Sequence, residues 1–420
     1  MKLKSFLKEN QNVKYWHNKQ DIEIGEYVYR EDDIRGAWVS NVANIDTPRG
    51  LGEEEYKASL RKIIETAASY NMNTLIFQVR PTNDAYYPSK LNPWSKYITG
   101  IEGKNPGFDV LQYVIEEAEK YGIRIHAWMN PYRVGTETID KYGSKEAYLD
   151  TLSEENFARI HKEHTILDGA NKVILSPSHP EVIKFVTDSI MEVVNNYDID
   201  GVHIDDYFYP YAKIPEELEY EDYIKYRESE NQTLDDFRRS NVDKMIQNIH
   251  EAMKNSFNKK GKKIEFGISP FAIYRTNIEI DPETGWEKGS YHSKGVLQCY
   301  LGLYSDVYKW MKENWIDYVV PQAYFPFERE DVTYHDITLW WANIAKETNT
   351  KIYTGNALYQ VGTAEKKEWQ NPDEIKNQLC FNAQFENIKG SIFFTFKDFY
   401  ESDNKIKNQA LKSLKEMWKK

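Results

Sequence analysis

Residues 201–208 read GVHIDDYF, and the alternation in this stretch decides the fold. Successive side chains of a strand point to opposite faces. Val202 and Ile204 therefore suit an outer layer of helices, while His203, Asp205 and Tyr207 face the other way. That leaves Asp205 and its neighbour Asp206 at the C-terminal rim. A helical pattern at 180–197, opened by SHPEV with proline in its first turn, runs straight into this strand through YDID. The unit is a helix feeding a buried strand that ends in carboxylates.

Seven further short apolar runs end in polar or aromatic residues: 34–41 (IRGAWVSN), 74–80 (TLIFQVR), 124–130 (RIHAWMN), 265–271 (EFGISPF), 317–324 (DYVVPQAY), 351–358 (KIYTGNAL) and 390–398 (GSIFFTFKD). Helical patterns at 53–70, 108–121, 180–197, 233–257, 304–314, 337–347, 372–385 and 405–419 alternate with them. Eight strands alternating with eight helices define an α/β fold, a (β/α)8 TIM barrel, over residues 33–420. Its surplus length falls in loops after strands, at 81–107, 132–179, 209–232 and 272–303. Such βα loops build active sites at the C-terminal face. Residues 1–32 form a polar N-terminal lead-in without periodicity.

With a net charge of −12, the chain lacks the electrostatic footprint of a nucleic-acid or anionic-lipid partner. No run approaches the roughly 20 apolar residues that span a bilayer. The N-terminus lacks the apolar core of a signal peptide, so the sequence as it stands is expected in the cytoplasm. If it is a trimmed mature form, an extracellular or cell-wall location is expected instead. Two cysteines, Cys299 and Cys380, are too few for a disulfide framework and read as buried thiols. The 31 Tyr, 18 Phe and 11 Trp suit a cleft that stacks sugar faces, and also suit packing.

Carboxylates at a barrel rim perform acid, base or nucleophile work on glycosidic bonds, so Asp205 and Asp206 are the first catalytic candidates. A structural ion pair or an ion-binding pair is the plainer role. The second strand ends in Gln78, Arg80, Asn83 and Asp84, where Arg80 offers a planar fork for a carboxylate or a salt bridge in the barrel core. The third ends with His126, Trp128 and Asn130 alternating, then Tyr132 and Arg133. The sixth brings Gln322 and Tyr324 and an aromatic loop to Glu328. Amide and phenol groups there can hold sugar hydroxyls or an acetamido oxygen. Motifs for a metal-dependent amidohydrolase, a dinucleotide fold, a P-loop and a nucleophile elbow are absent from the sequence. No cofactor and no metal is expected.

The segments RGAWVSN (35–41), LIFQVRPTNDAYYPS (75–89), GIRIHAWMNPYR (122–133), HPEV (179–182), DGVHIDDYFYP (200–210), FRRSNVDKMIQNIHEAMK (237–254), FGISPFAIYR (266–275), WIDYVVPQAYFPFE (315–328) and GSIFFTFKD (390–398) together resemble the glycosyl hydrolase-like 10 family. The resemblance implies a bacterial TIM-barrel glycosidase whose relatives act on peptidoglycan strands stripped of their peptides. Those relatives are typically secreted or lipid-anchored. DGVHIDD is also loosely similar to the chitinase pattern DGxDxDxE. Asp205 matches its last aspartate, whereas His203 replaces an aspartate and Tyr207 replaces the acid glutamate.

Two mechanisms are open. In one, Asp205 polarises the substrate's own acetamido group while Asp206 protonates the leaving oxygen, with Gln322 and Tyr324 stabilising charge. In the other, Asp205 is nucleophile or base and Glu328 the acid. Arg80, Arg133 and Arg275 are candidates for the lactyl carboxylate of muramic acid, with His203 and Tyr207 as further substrate contacts. The alternatives are a glycosidase for another polysaccharide and a carbohydrate-binding barrel without catalysis.

Overall fold

A computed structural model describes residues 1–277 and 289–419; part of the long loop after the fifth strand lies outside them. Eight strands close a parallel barrel: β1 (Ile34–Val39), β2 (Thr74–Arg80), β3 (Arg124–Met129), β4 (Gly201–Ile204), β5 (Glu265–Ile268), β6 (Tyr318–Val319), β7 (Lys351–Ala357) and β8 (Ile388–Phe394). The ring closes by pairing of β1 with β8. The helix that leads from each strand toward the next is α1 (Glu53–Ser69), α2 (Val110–Glu119), α3 (Pro180–Asn196), α4 (Leu234–Met253), α5 (Val307–Lys312), α6 (Tyr334–Ala345), α7 (Glu374–Asn382) and α8 (Lys405–Met417), with shorter helices added in the long loops. The chain is therefore the (β/α)8 barrel that the alternation of patterns implies.

Several strands are shorter than their apolar runs. Pro321 has no N–H to donate, and β6 stops at Val319 although the apolar run continues to Tyr324. Isolated bridges from Gln322 to Phe271 and Gly355 carry the pairing onward to the rim. The excursion at 132–179 builds its own antiparallel sheet from Arg133–Thr138, Thr165–Leu167 and Lys172–Leu175.

Strand alternation separates two cores. Val202 and Ile204 join the large core shared with the helices. Inside the ring, Trp38, Ile76, Trp128, Tyr318, Val320 and Tyr353 pack with Ile34 and Ile392. A buried hydrogen-bond column threads this inner layer. Trp38 Nε1 donates to His203 Nε2 at 3.1 Å, His203 Nδ1 pairs with the Tyr318 hydroxyl at 3.0 Å, and that hydroxyl pairs with His126 Nδ1 at 2.8 Å. Because indole is only a donor, His203 Nε2 accepts and its proton sits on Nδ1. Tyr318 then accepts from His203 and donates to His126. Burial pushes the His203 pKa far below the usual range and that of His126 down to about 3, so both rings are neutral.

The lead-in is folded rather than loose. Leu3, Val13, Ile22 and Ile24 enter the main core, and backbone bridges tie residues 2, 4 and 14 to 23, 12 and 21. The Asp336 carboxylate fixes it to α6 by accepting from the Trp16 amide at 2.8 Å and pairing with His17. No helix among the described residues is long and apolar enough to cross a membrane.

The inner aromatic layer needs small residues opposite its rings. A Cβ at Gly267 of β5 would overlap the Tyr318 ring, which is held by two histidines and has nowhere to retreat. Gly267→Ala is expected to lower unfolding stability by about 1–3 kcal/mol, the usual cost of overpacking, in a urea titration. An unchanged midpoint would show that the column tolerates displacement.

Candidate active site

The C-terminal mouth of the barrel opens into a cleft of about 800 Å³. Its floor is the turn immediately after β4. Asp205 follows the last residue of the strand, and the chain then bends so that the Tyr207 amide donates back to Asp205 Oδ1 at 3.1 Å. Two further donors converge on the same carboxylate. Trp128 Nε1 reaches Oδ2 at 3.2 Å, and Asn130 Nδ2 lies 3.2 Å from both oxygens. All three groups come from the rim of β3 or from the turn itself, which fixes the orientation of Asp205.

Asp206 is buried beside it with fewer partners. The Tyr211 hydroxyl donates to its Oδ2, and Gln322 contributes a second hydrogen bond. Gln322 is itself oriented by donating to the Ser269 carbonyl at 3.0 Å. Burial pushes the Asp206 carboxyl up to about 7, and the adjacent Asp205 charge adds to the rise against the Tyr211 and Gln322 donors. Burial also raises Asp205, but the Arg133 charge and the Tyr207, Asn130 and Trp128 donors all favour its ionised form. The two neighbouring carboxyls thus stand in unlike environments, the condition under which acid and base roles separate.

The walls are aromatic. Trp38, Tyr207, Phe271, Tyr324, Tyr359 and Phe394 line the cleft, with Tyr324 stacked on Phe394 at 6.0 Å between centroids. The Arg133 guanidinium lies 4.2 Å above the centre of the Tyr207 ring, and its charge acts on Asp205. Arg329 and Lys366 add further positive groups to the lining, and Glu365 and Glu368 add carboxylates.

Of the residues singled out in the sequence, Asp205, Asp206, Trp128, Arg133, Tyr207, Gln322 and Tyr324 are brought together in the cleft. His203 and Asn130 stand directly beneath it. Others are committed elsewhere. Gln78 accepts from the Asn41 and Val42 amides at 2.9 and 2.8 Å. Arg80 is fully buried and donates to Asn92 at 2.9 Å, to the Asn130 carbonyl at 2.6 Å and to Asn83 at 2.6 Å, so it supports the floor instead of meeting a substrate. Asp84 is buried, accepting from the Thr82 amide, and Tyr132 is buried in the core. Arg275 lies 4.7 Å over the Tyr300 ring and is not among the described cleft residues.

Glu328, expected as a possible acid, is outside the cleft. It pairs with the Ser5 hydroxyl and accepts from the Phe6 and Leu7 amides at 2.7 and 3.3 Å, binding the N-terminal segment in place. Sequence reasoning passed over Tyr211, Trp38, Phe271, Glu365 and Lys366. Tyr211 stands six residues beyond Asp205 in the motif DDYFYPY and was the most accessible of these signals.

Two buried carboxyls in unlike environments on the floor of an aromatic cleft, at the mouth of a TIM barrel, are an arrangement that glycoside hydrolysis can use. The comparisons with known proteins agree, and the chain belongs to the glycosyl hydrolase-like 10 family, whose model matches residues 33–372. It is 37% identical over 382 residues to the glycosyl hydrolase YngK of Bacillus subtilis, covering 90% of this chain and 70% of that protein. It is 33% identical over 402 residues to the glycosyl hydrolase DigH of Escherichia coli, covering 92% and 87%. Among solved structures, the PgaB (BpsB) glycoside hydrolase domain of Bordetella bronchiseptica aligns with a TM-score of 0.54 at 10% identity over 92% of this chain and 99% of that one. The α-L-fucosidase isoenzyme 2 of Paenibacillus thiaminolyticus also gives 0.54, at 13% identity, over 91% of this chain and 49% of that one. Both structural likenesses concern the fold.

If Asp206 delivers the proton, kcat/KM should fall as pH rises through about 7. Tyr211 donates to the carboxylate form and so lowers the Asp206 pKa. Tyr211→Phe is therefore expected to move the alkaline limb of the pH profile upward, and a limb that stays put or moves down would remove Asp206 from that role.

Proposed function

We propose that the protein hydrolyses β-linked glycans carrying N-acetylated sugars, with peptide-free peptidoglycan strands as the substrate. The observation that carries this reading is the unequal Asp205–Asp206 pair on the cleft floor. The two residues are neighbours on one turn, which suits a division of labour around a single sugar ring. Asp205, charged and held by three donors, orients the acetamido group and stabilises the positive charge that develops on it. The acetamido oxygen attacks the anomeric carbon while Asp206 transfers its proton to the departing glycosidic oxygen. Ionised Asp206 then takes a proton from the water that opens the resulting oxazolinium ring. The product keeps the configuration of the substrate.

Peptidoglycan is supported by the charge of the cleft lining, beside what the sequence resemblance implies. Muramic acid carries a lactyl carboxylate, and a chain of net charge −12 repels it except where cations line the cleft. Arg133 and Lys366 are those cations, Arg329 being already forked onto Asp331. A guanidinium grips a carboxylate through two parallel hydrogen bonds, and Arg133 is already oriented by its contact with Tyr207.

A second reading follows from the carboxylates on the cleft wall. Asp205 would act as nucleophile and Glu365, on the loop after β7, as acid. Both routes retain configuration, so the rates of variants separate them. Substrate assistance predicts that Asp206→Asn loses about 10²–10⁴ in kcat while Glu365→Gln changes it little; the second route predicts the reverse. Mass spectrometry of peptide-free glycan strands provides the assay. Shortened muramic-acid-containing chains are expected with the wild type, and strands left intact by the folded protein would refute the substrate assignment.

A further inference from the structure

Three of the nine histidines, His161, His164 and His179, converge away from the Asp205–Asp206 floor, in the excursion between β3 and α3. None of them lines the cleft. The segment His161-Lys162-Glu163-His164 forms a tight turn in which His161 Nδ1 lies 3.4 Å from Glu163 Oε1, and His164 Nε2 lies 3.7 Å from the same oxygen. All three donor atoms fall within 4.8 Å of one another. Tetrahedral zinc with bonds of about 2.0–2.1 Å places neighbouring donors about 3.3 Å apart, so the separations need to close by only a few tenths of an ångström at two of the three edges.

The hydrogen bonds behind the turn prepare one of these donors. Asp222 accepts from the Ser178 hydroxyl at 2.8 Å and pairs with His179 Nε2 at 2.9 Å. A carboxylate only accepts, so His179 donates to it from Nε2, and in the tautomer that carries only this proton Nδ1 is an acceptor. His179 Nδ1 is 2.7 Å from His164 Nδ1. In that tautomer His164 donates from Nδ1, which leaves the Nε2 lone pair facing Glu163. A ligating histidine whose other nitrogen is tied to a hydrogen-bond acceptor is the usual supporting arrangement of metal sites. Phe157 fixes the rings as well, stacking on His164 at 6.0 Å and on Phe185 of α3 at 4.0 Å, with His161 tilted against it at 4.7 Å.

We propose that His161, Glu163 and His164 bind one divalent transition-metal ion of the zinc class, with His179 and Asp222 as the supporting pair and water at the fourth position. Two imidazoles and a carboxylate favour such an ion over calcium or magnesium, which prefer all-oxygen shells. The sequence alone suggested no metal, because nine scattered histidines show no common spacing; the fold supplies the convergence by bringing His179 and Asp222 to the turn. Asp222 belongs to the helix Glu216–Tyr226 in the loop after β4, the loop that also carries Asp206 and Tyr211. The ion would therefore sit on the β3 excursion as a structural site, linked through His164, His179 and Asp222 to the loop that holds the Asp205–Asp206 floor.

The test uses the full chain, freed of metal by chelation, then dialysed against micromolar Zn²⁺ and analysed by elemental mass spectrometry. Retention of one equivalent is expected, with a rise in thermal midpoint on adding Zn²⁺ alone. His164→Ala should abolish retention, and His179→Ala should weaken it 10–100-fold, the usual effect of removing a supporting partner. His161→Ala removes a partly exposed side chain and keeps the test valid if His164→Ala fails to fold. His250→Ala, on α4, should leave retention unchanged. Retention below one equivalent by the wild type, or equal retention by the wild type and His161→Ala, would overturn the site.

Discussion

Burying two adjacent carboxyls on a neutral aromatic layer is the constraint that organises this structure. Taking a charge out of water is costly, and two neighbouring charges cost more than twice as much unless one accepts a proton. The layer beneath offers no cation to relieve that cost. His203, directly under the pair, is kept neutral by burial and by the indole that donates to it. Relief comes instead through hydrogen bonds, and these are unevenly distributed. Asp205 takes most of them together with the field of Arg133, so the proton stays with Asp206.

That asymmetry reaches down through the barrel. The column from Trp38 through His203 and Tyr318 to His126 fixes each proton by the donor or acceptor limits of its neighbour. It holds rigid rings at the height where Trp128 can present its indole nitrogen to Asp205. Residues such as Arg80 serve the same end from the side, since Arg80 binds the backbone of Asn130 and thereby places a donor of Asp205. A site built this way loses precision when its supports are displaced, even though they never touch substrate.

Sequence patterns showed the barrel and the floor because both obey local rules. The strand alternation in GVHIDDYF placed Val202 and Ile204 outward and His203 inward, as the two separate cores confirm. What was not legible depends on contacts between distant segments. Glu328 sits in a promising aromatic loop, yet its partners are Ser5, Phe6 and Leu7, over 320 residues away, and no local pattern reveals that pairing. Leu3, Val13, Ile22 and Ile24 anchor the N-terminal segment without helical or strand periodicity, so the segment read only as a polar lead-in. Arg80 and Gln78 end a strand at the rim, but burial turns them toward backbone groups instead of the cleft. Glu365 and Lys366 escaped notice because they follow β7 in a loop whose only signal is polarity.

In the proposed reaction the substrate's acetamido group is the nucleophile and Asp205 its partner. The most direct measurement compares turnover of an N-acetylated oligosaccharide with that of the same chain bearing free amines, at equal occupancy of the cleft. The account predicts that removing the acetyl groups lowers kcat by on the order of a hundredfold or more while the oligosaccharide still binds. Cleavage of both chains at similar rates would contradict it and would require an enzyme carboxylate as the nucleophile.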